Sequence, residues 1–256
     1  MKDVWRQTLV IVTTLVTLVV NILANALPIN GLTTGEISDR FQVYFVPAGY
    51  VFSIWGVIYL GLLTHAIFQA LAGQRANPRL RATGWWVVLA NLANAAWIFL
   101  WHYERFVLTL FAMFLLLAAL IVIYVRLGVG RGSVSRLETW AARVPFSIYL
   151  GWITVASIAN VSAALDYLHW NQWGFSDGTW MLGILVVVIL LSATMNFTRQ
   201  DIAYAMVILW ALAGIGVKFP QQGIVTVAIW TSFALVALTL LLALFRQTRG
   251  RWIGGE

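Results

Sequence analysis

The chain has 256 residues, of which 61% are hydrophobic and only 10% charged, with 16 basic and 9 acidic side chains and no cysteine. A soluble domain carries about a quarter charged residues, so this composition, with a mean hydropathy of +0.86, excludes soluble, disordered and collagen-like classes. Without cysteine there is no disulfide, thiolate metal site, iron–sulfur cluster or cysteine nucleophile. The sequence is that of an all-α integral membrane protein.

A bilayer core of about 30 Å needs about 20 apolar residues in a helix, and the uncharged windows of the sequence predict eight such helices. The first covers 7–27. Its start, with Lys2, Arg6 and Ala24-Asn25-Ala26, imitates a secretory leader, but the apolar run from Thr8 to Leu23 is longer than a leader's core and reads as a span. A linker around Leu27-Pro28-Ile29-Asn30-Gly31 opens the longest loop, 28–46, sized for a cap over one end of the bundle. Helix two covers 48–72 and carries His65, read as a packing histidine bonded to a neighbouring backbone, with haem ligation as the alternative. Helices three, four, five and six follow at 82–103, 106–125, 144–165 and 178–198.

The weakest span is 202–217, where Asp201 caps the start and Lys218 snorkels at the end, and Pro220 and Gly223 separate it from the eighth, 219–245. Asp166, Asp201 and Lys218 all fall at helix ends. Charges inside a bilayer are the usual marks of ion pathways, so an ion or proton pump is disfavoured, as is a retinal Schiff base at Lys218.

Loop charge tests the count. Lys2, Arg6, Arg75, Arg79, Arg81, Arg126, Arg131, Arg136, Arg143, Arg199, Arg246, Arg249 and Arg251 fall on one side and only Arg40, Arg105 and Lys218 on the other. By the positive-inside bias both termini are cytoplasmic, and the net charge of +7 reads as orientation rather than nucleic-acid binding. The expected location is the cytoplasmic (inner) membrane, with the lipid bilayer as partner. Trp5, Trp86, Trp101, Trp140, Trp170, Trp180 and Trp252 lie near span ends, as an interfacial belt places them.

No composition or motif points to an enzyme: there is no G-x-S-x-G, P-loop or dinucleotide fingerprint in a suitable context, and three scattered histidines give no metal set. What stands out is a set of aromatics and amides at similar depth. Trp55 and Tyr59 follow Pro47 on helix two; Asn94, Trp97 and Trp101 share a face of helix three; Tyr149, Trp152 and Asn160 form a stripe on helix five. At 1.5 Å rise per residue, Trp55, Asn94, Trp97 and Asn160 fall in the outer half of the bilayer and Tyr59, Tyr149 and Trp152 nearer its middle. Either these residues are helix packing, or they line a pocket for a flat, largely apolar ligand.

At these residues the sequence resembles the TspO/MBR family, the tryptophan-rich sensory proteins whose animal relatives are the translocator proteins or peripheral benzodiazepine receptors. The resemblance rests on Pro47, Gly49, Tyr50, Phe52, Trp55 and Tyr59; on Asn94, Trp97 and Trp101; and on Tyr149, Trp152 and Asn160. It covers about residues 5–168, so the expected division is a five-helix unit in 1–168 and three additional helices with a basic tail in 169–256. It implies a bundle that binds a tetrapyrrole such as protoporphyrin or haem, or a sterol-like lipid, with no required cofactor. The site residues would be Trp55, Tyr59, Asn94, Trp97, Trp101, Tyr149, Trp152 and Asn160, under a lid carrying Phe41, Tyr44, Phe45 and Pro47. The Phe52–Trp55 spacing is one shorter than the family's, Ala48 replaces a proline, and the 28–46 loop has no tryptophan, so porphyrin degradation is not carried over. The family often dimerises, which implies a homodimer, although helices six to eight on that surface would leave a monomer. The other readings are a small-molecule transporter, for which Gly214, Gly216 and Pro220 suggest a broken helix, and a non-enzymatic assembly subunit.

Overall fold

A computed structural model of the chain describes residues 2–27 and 29–253, with backbone alone for Lys2 and 247–253. Pro28 of the first linker, and the side chains of Lys2, Arg249, Arg251 and Trp252, lie outside the described residues. The long helices are α1 (Lys2–Ala26), α2 (Ile54–Ala70), α3 (Pro78–His102), α4 (Phe106–Leu127), α5 (Val144–Tyr167), α6 (Asp177–Arg199), α7 (Ile202–Lys218) and α8 (Ile224–Ile253). Among the described residues seven are long and apolar enough to cross a membrane, and α7 is a shorter apolar helix; the protein is a multi-pass, all-α membrane protein.

The helices outrun their uncharged windows where capping chemistry sets the boundary. The Asn77 side chain accepts from the Arg79 and Leu80 amides, and Pro78 occupies the first turn, so α3 begins four residues before residue 82. A 3-10 turn at Gly49–Ser53 leads into α2. A short helix, Arg136–Glu138, and a π turn, Thr139–Arg143, lead into α5. The Asp201 side chain caps α7 by accepting from the Tyr204 amide at 3.1 Å, as expected, and it also accepts from the Tyr124 hydroxyl at 2.8 Å and from Ser147.

Helices α1 to α5 form a closed ring in the order α1, α3, α4, α5, α2. α7 packs on the outer face of α5, and α8 packs on both α6 and α7. One hydrophobic core runs from Val10 in α1 to Val236 in α8, without a break near residue 168. α7 is continuous through Gly214 and Gly216. Both glycines serve close approach: a Cβ at Gly214 would stand 2.1 Å from Val51 Cγ2, and one at Gly216 2.8 Å from the Trp230 ring. Ala48 N donates to Gly214 O at 3.2 Å and Trp210 Nε1 to Val51 O at 3.1 Å, so α7 grips the turn before α2.

At the end of the bundle that carries the termini, arginines donate to backbone carbonyls. Arg143 donates to Leu127 O at the end of α4, where the helix leaves carbonyls free, and to Gly132 O and Arg131 O of the loop that follows, and the buried Arg6 donates to Leu80 O at 3.0 Å. Arg79 pairs with Glu138. His65 is buried and donates from Nδ1 to Ala141 O at 3.1 Å, the packing role read from sequence.

Candidate functional site

The aromatic and amide residues fall into two clusters within the ring. In the first, Trp55 stacks on Tyr59, one helical turn away, with centroids 5.6 Å apart. Across from this pair, α5 brings Tyr149 and Trp152 edge-on to Trp55 at 6.0 and 6.1 Å, and Phe52 meets Trp152 at 5.8 Å. Asn94 of α3 faces the Tyr149 hydroxyl, and its Oδ1 accepts from Asn21 Nδ2 of α1 at 2.7 Å.

Three polar atoms of this cluster, Asn94 Nδ2, the Tyr149 hydroxyl and Trp152 Nε1, are buried without a close hydrogen-bond partner, the first two facing one another. Buried polar groups are nearly always paired, and each unpaired one costs about 1–3 kcal/mol. Asn94 comes from α3 and the other two from α5, and Asn94 Nδ2 and Trp152 Nε1 are obligate donors.

The second cluster lies toward the 28–46 loop. Trp97 stacks on Trp101 at 5.2 Å, and Phe41 of the loop and Phe106 of α4 close around Trp101. Trp97 Nε1 donates to Asn160 Oδ1 at 2.9 Å, and Asn160 Nδ2 donates to Thr109 Oγ1 at 2.8 Å. Here every side-chain donor is used, which makes the cluster a packed joint between α3, α4 and α5. Trp101 is 4% exposed and donates to Thr34 O, so it is no interfacial anchor, in contrast to the exposed Trp5 and Trp140.

The 28–46 loop is stitched over this joint. His102 Nδ1 donates to Ile29 O at 2.9 Å, which leaves Nε2 to accept from Thr34 Oγ1 at 3.0 Å, and Asn30 Nδ2 donates to His102 O. Arg40 pairs with Glu104 and Lys218 with Asp39, so Lys218 reaches the loop rather than snorkelling freely. Within the loop, Thr33 and Glu36 form a reciprocal capping box that starts a one-turn helix at Thr34–Ser38. The Thr33 backbone and side-chain hydrogen bonds hold the Glu36 carboxyl below its ordinary range. Phe45 is buried, Tyr44 stacks edge-on with Phe219 at 5.3 Å, and Pro47 abuts α7 at Gly214.

A separate cleft of about 760 Å³ lies between α4, α5 and α6; Tyr44 and Phe45 reach its lining, and the eight helix residues named from sequence do not.

The ring, its loop and its aromatic wall agree with a comparison to known families, in which the model described as TSPO-like protein matches residues 7–245. The chain belongs to the TSPO-like family. The match runs through all eight helices, while comparisons with curated proteins and with solved structures give no significant match. Three residues that shape this TSPO-like site escaped the sequence reading: Asn21, Thr109 and His102. Asn21 carried a usable signal, an amide near the middle of the first span. The other two are placed by partners 50 or more residues away, which spacing within one helix does not report.

Proposed function

We propose that this TSPO-like chain is a membrane receptor or carrier for a flat, largely apolar ligand, a tetrapyrrole such as protoporphyrin or haem or a sterol-like lipid. The ligand would lie in the five-helix ring against Trp55, Tyr59, Tyr149 and Trp152, with the 28–46 loop as its lid. The lid would face away from the cytoplasm, as the distribution of basic residues argues.

The observation that carries this reading is the trio of orphaned polar atoms, Asn94 Nδ2, Tyr149 OH and Trp152 Nε1, beside the Trp55–Tyr59 stack. Aromatic faces hold a flat ring by offset or edge contacts, and the three donors suit a ligand with carbonyl or carboxylate oxygens on its edge. The role of these groups is binding and orientation, which makes the chain a receptor rather than a catalyst. Full-length protein in nanodiscs, titrated with protoporphyrin IX and haem, should show saturable tryptophan quenching and a shifted Soret band, both weakened in Trp55→Ala. Non-saturable partitioning equal to that of empty nanodiscs would refute the tetrapyrrole reading.

A further inference from the structure

A cleft of about 760 Å³ opens between α5 and α6, and the ring does not use it. α6 is held by α8 and α7, so a gap opens between it and the outer face of α5. The lining runs down α6 from Asp177 to Leu191, about 21 Å at 1.5 Å rise per residue. At about 760 Å³ the cleft is within the range of small-molecule sites.

Its two ends differ in chemistry. The deep walls are apolar, with Leu117, Ile158, Ile184 and Val187 among them. The hydroxyls that appear there, on Thr154, Ser157 and Ser162, each donate to the carbonyl four residues back on α5, so they offer the cleft no free donor. The mouth, at the lid end, carries Asp166, Asp177, Trp170 and Trp180, and no lysine or arginine occurs in the lining among the described residues. Asp3, Asp39, Glu104 and Glu138 each stand in an ion pair, whereas Asp166 accepts only from the Gln42 amide and Asp177 from the Gln172 side chain. The rim is also held in a costly backbone: His169, Gln172 and Trp173 have φ of 50°, 56° and 53°. Trp180 Nε1 secures it by donating to Gln172 O at 2.9 Å, with the Trp170 and Trp180 rings 4.9 Å apart.

Two carboxylates without cationic partners beside indole faces attract an ammonium, and the long apolar wall beneath them accepts a chain. We propose that the α5–α6 cleft binds a cationic amphiphile, with its ammonium head between Asp166, Asp177, Trp170 and Trp180 and its apolar tail along α5 and α6. This site is independent of the tetrapyrrole reading of the ring.

The test uses full-length protein in phosphatidylcholine nanodiscs and a long-chain trimethylammonium amphiphile with a diazirine in mid-tail. Photolabelling should saturate and map to peptides of α5 and α6. Competition by the unlabelled ammonium amphiphile should be stronger than by its carboxylate counterpart by about tenfold, the scale of a partly desolvated cation–aromatic contact. Asp166→Asn with Asp177→Asn should remove that preference. Gly183 lines the cleft part-way along α6 and has open space where a Cβ would be, so Gly183→Phe should obstruct the path of the tail and abolish the label. Protoporphyrin binding in the ring should be unchanged in both variants, which separates failure here from failure of the ring site. Equal competition by the carboxylate, label that does not saturate, or label that survives Gly183→Phe would overturn the proposal.

Discussion

The indole nitrogen of Trp97 donates to Asn160 Oδ1 at 2.9 Å, and that one bond ties α3 to α5 just beneath the lid. Asn160 extends the tie to Thr109 on α4, so three helices of the ring share a single side-chain chain. Interhelical hydrogen bonds within membranes contribute about 0.6 kcal/mol on average and up to about 1.7. A double-mutant cycle of Trp97→Phe and Asn160→Ala, read by denaturation in detergent, should give a coupling energy in that range. Additive losses would mean that the two side chains act independently.

His102 fastens the loop through its ring and its backbone, to Ile29, Asn30 and Thr34. Replacing it with alanine leaves the Ile29 carbonyl and the Thr34 hydroxyl without those partners, a loss of about 1–3 kcal/mol for buried groups. Hydrogen exchange in residues 29–40 should accelerate in His102→Ala while exchange in α4 and α5 stays as in wild type. Unchanged exchange in the loop would show that the ion pairs Arg40–Glu104 and Lys218–Asp39 suffice to hold it.

Glu36 gives the loop a pH dependence. Its carboxyl is held below the ordinary value of 4.5 by Thr33, so the folded loop binds this proton less readily than the unfolded one. The capping box therefore contributes fully above about pH 4.5, and its contribution is lost as pH falls through the depressed value. Protection factors in 33–39 should drop below pH 4.5 in wild type and stay flat in Glu36→Gln. A drop of equal size in the variant would assign the effect to another group.

Two glycines with opposite surroundings test the packing of the last three helices. Gly214→Ala drives a methyl into Val51 and should destabilise by about 1–3 kcal/mol, the cost of overpacking. Gly183→Ala meets open space and should stay within about 0.5 kcal/mol of wild type. Thermal unfolding in one detergent compares them directly, and equal stability of the two variants would contradict the close approach of α7 to the turn before α2.

The eight helices were legible because charge is so scarce that each uncharged window marks one apolar crossing. The capped starts were less so: Asn77 and Pro78 extend α3 beyond its window through local hydrogen bonds that a hydropathy count ignores. Four-residue spacing paired Trp97 with Trp101, since such neighbours share a helix face, and the structure stacks Trp55 on Tyr59 in the same way. It did not reveal that these pairs belong to different clusters. That separation depends on Phe41 arriving from the loop and on Asn160 from α5, contacts across many residues of chain. The α5–α6 cleft was invisible for the same reason, because it arises from α6 choosing α8 over α5 as its neighbour.

The central claim, that the ring holds a ligand through its orphaned donors, predicts opposite effects from a single atom. Tyr149→Phe removes a buried hydroxyl without a close hydrogen-bond partner, so the ligand-free protein should gain about 1 kcal/mol of stability. The same variant should bind haem more weakly than wild type by several-fold, the worth of about one hydrogen bond. Unfolding of the ligand-free protein and a haem titration on the same preparation measure both. Greater stability with weaker binding is the result expected; lower stability with unchanged haem affinity would show that the hydroxyl serves the fold and would contradict the account.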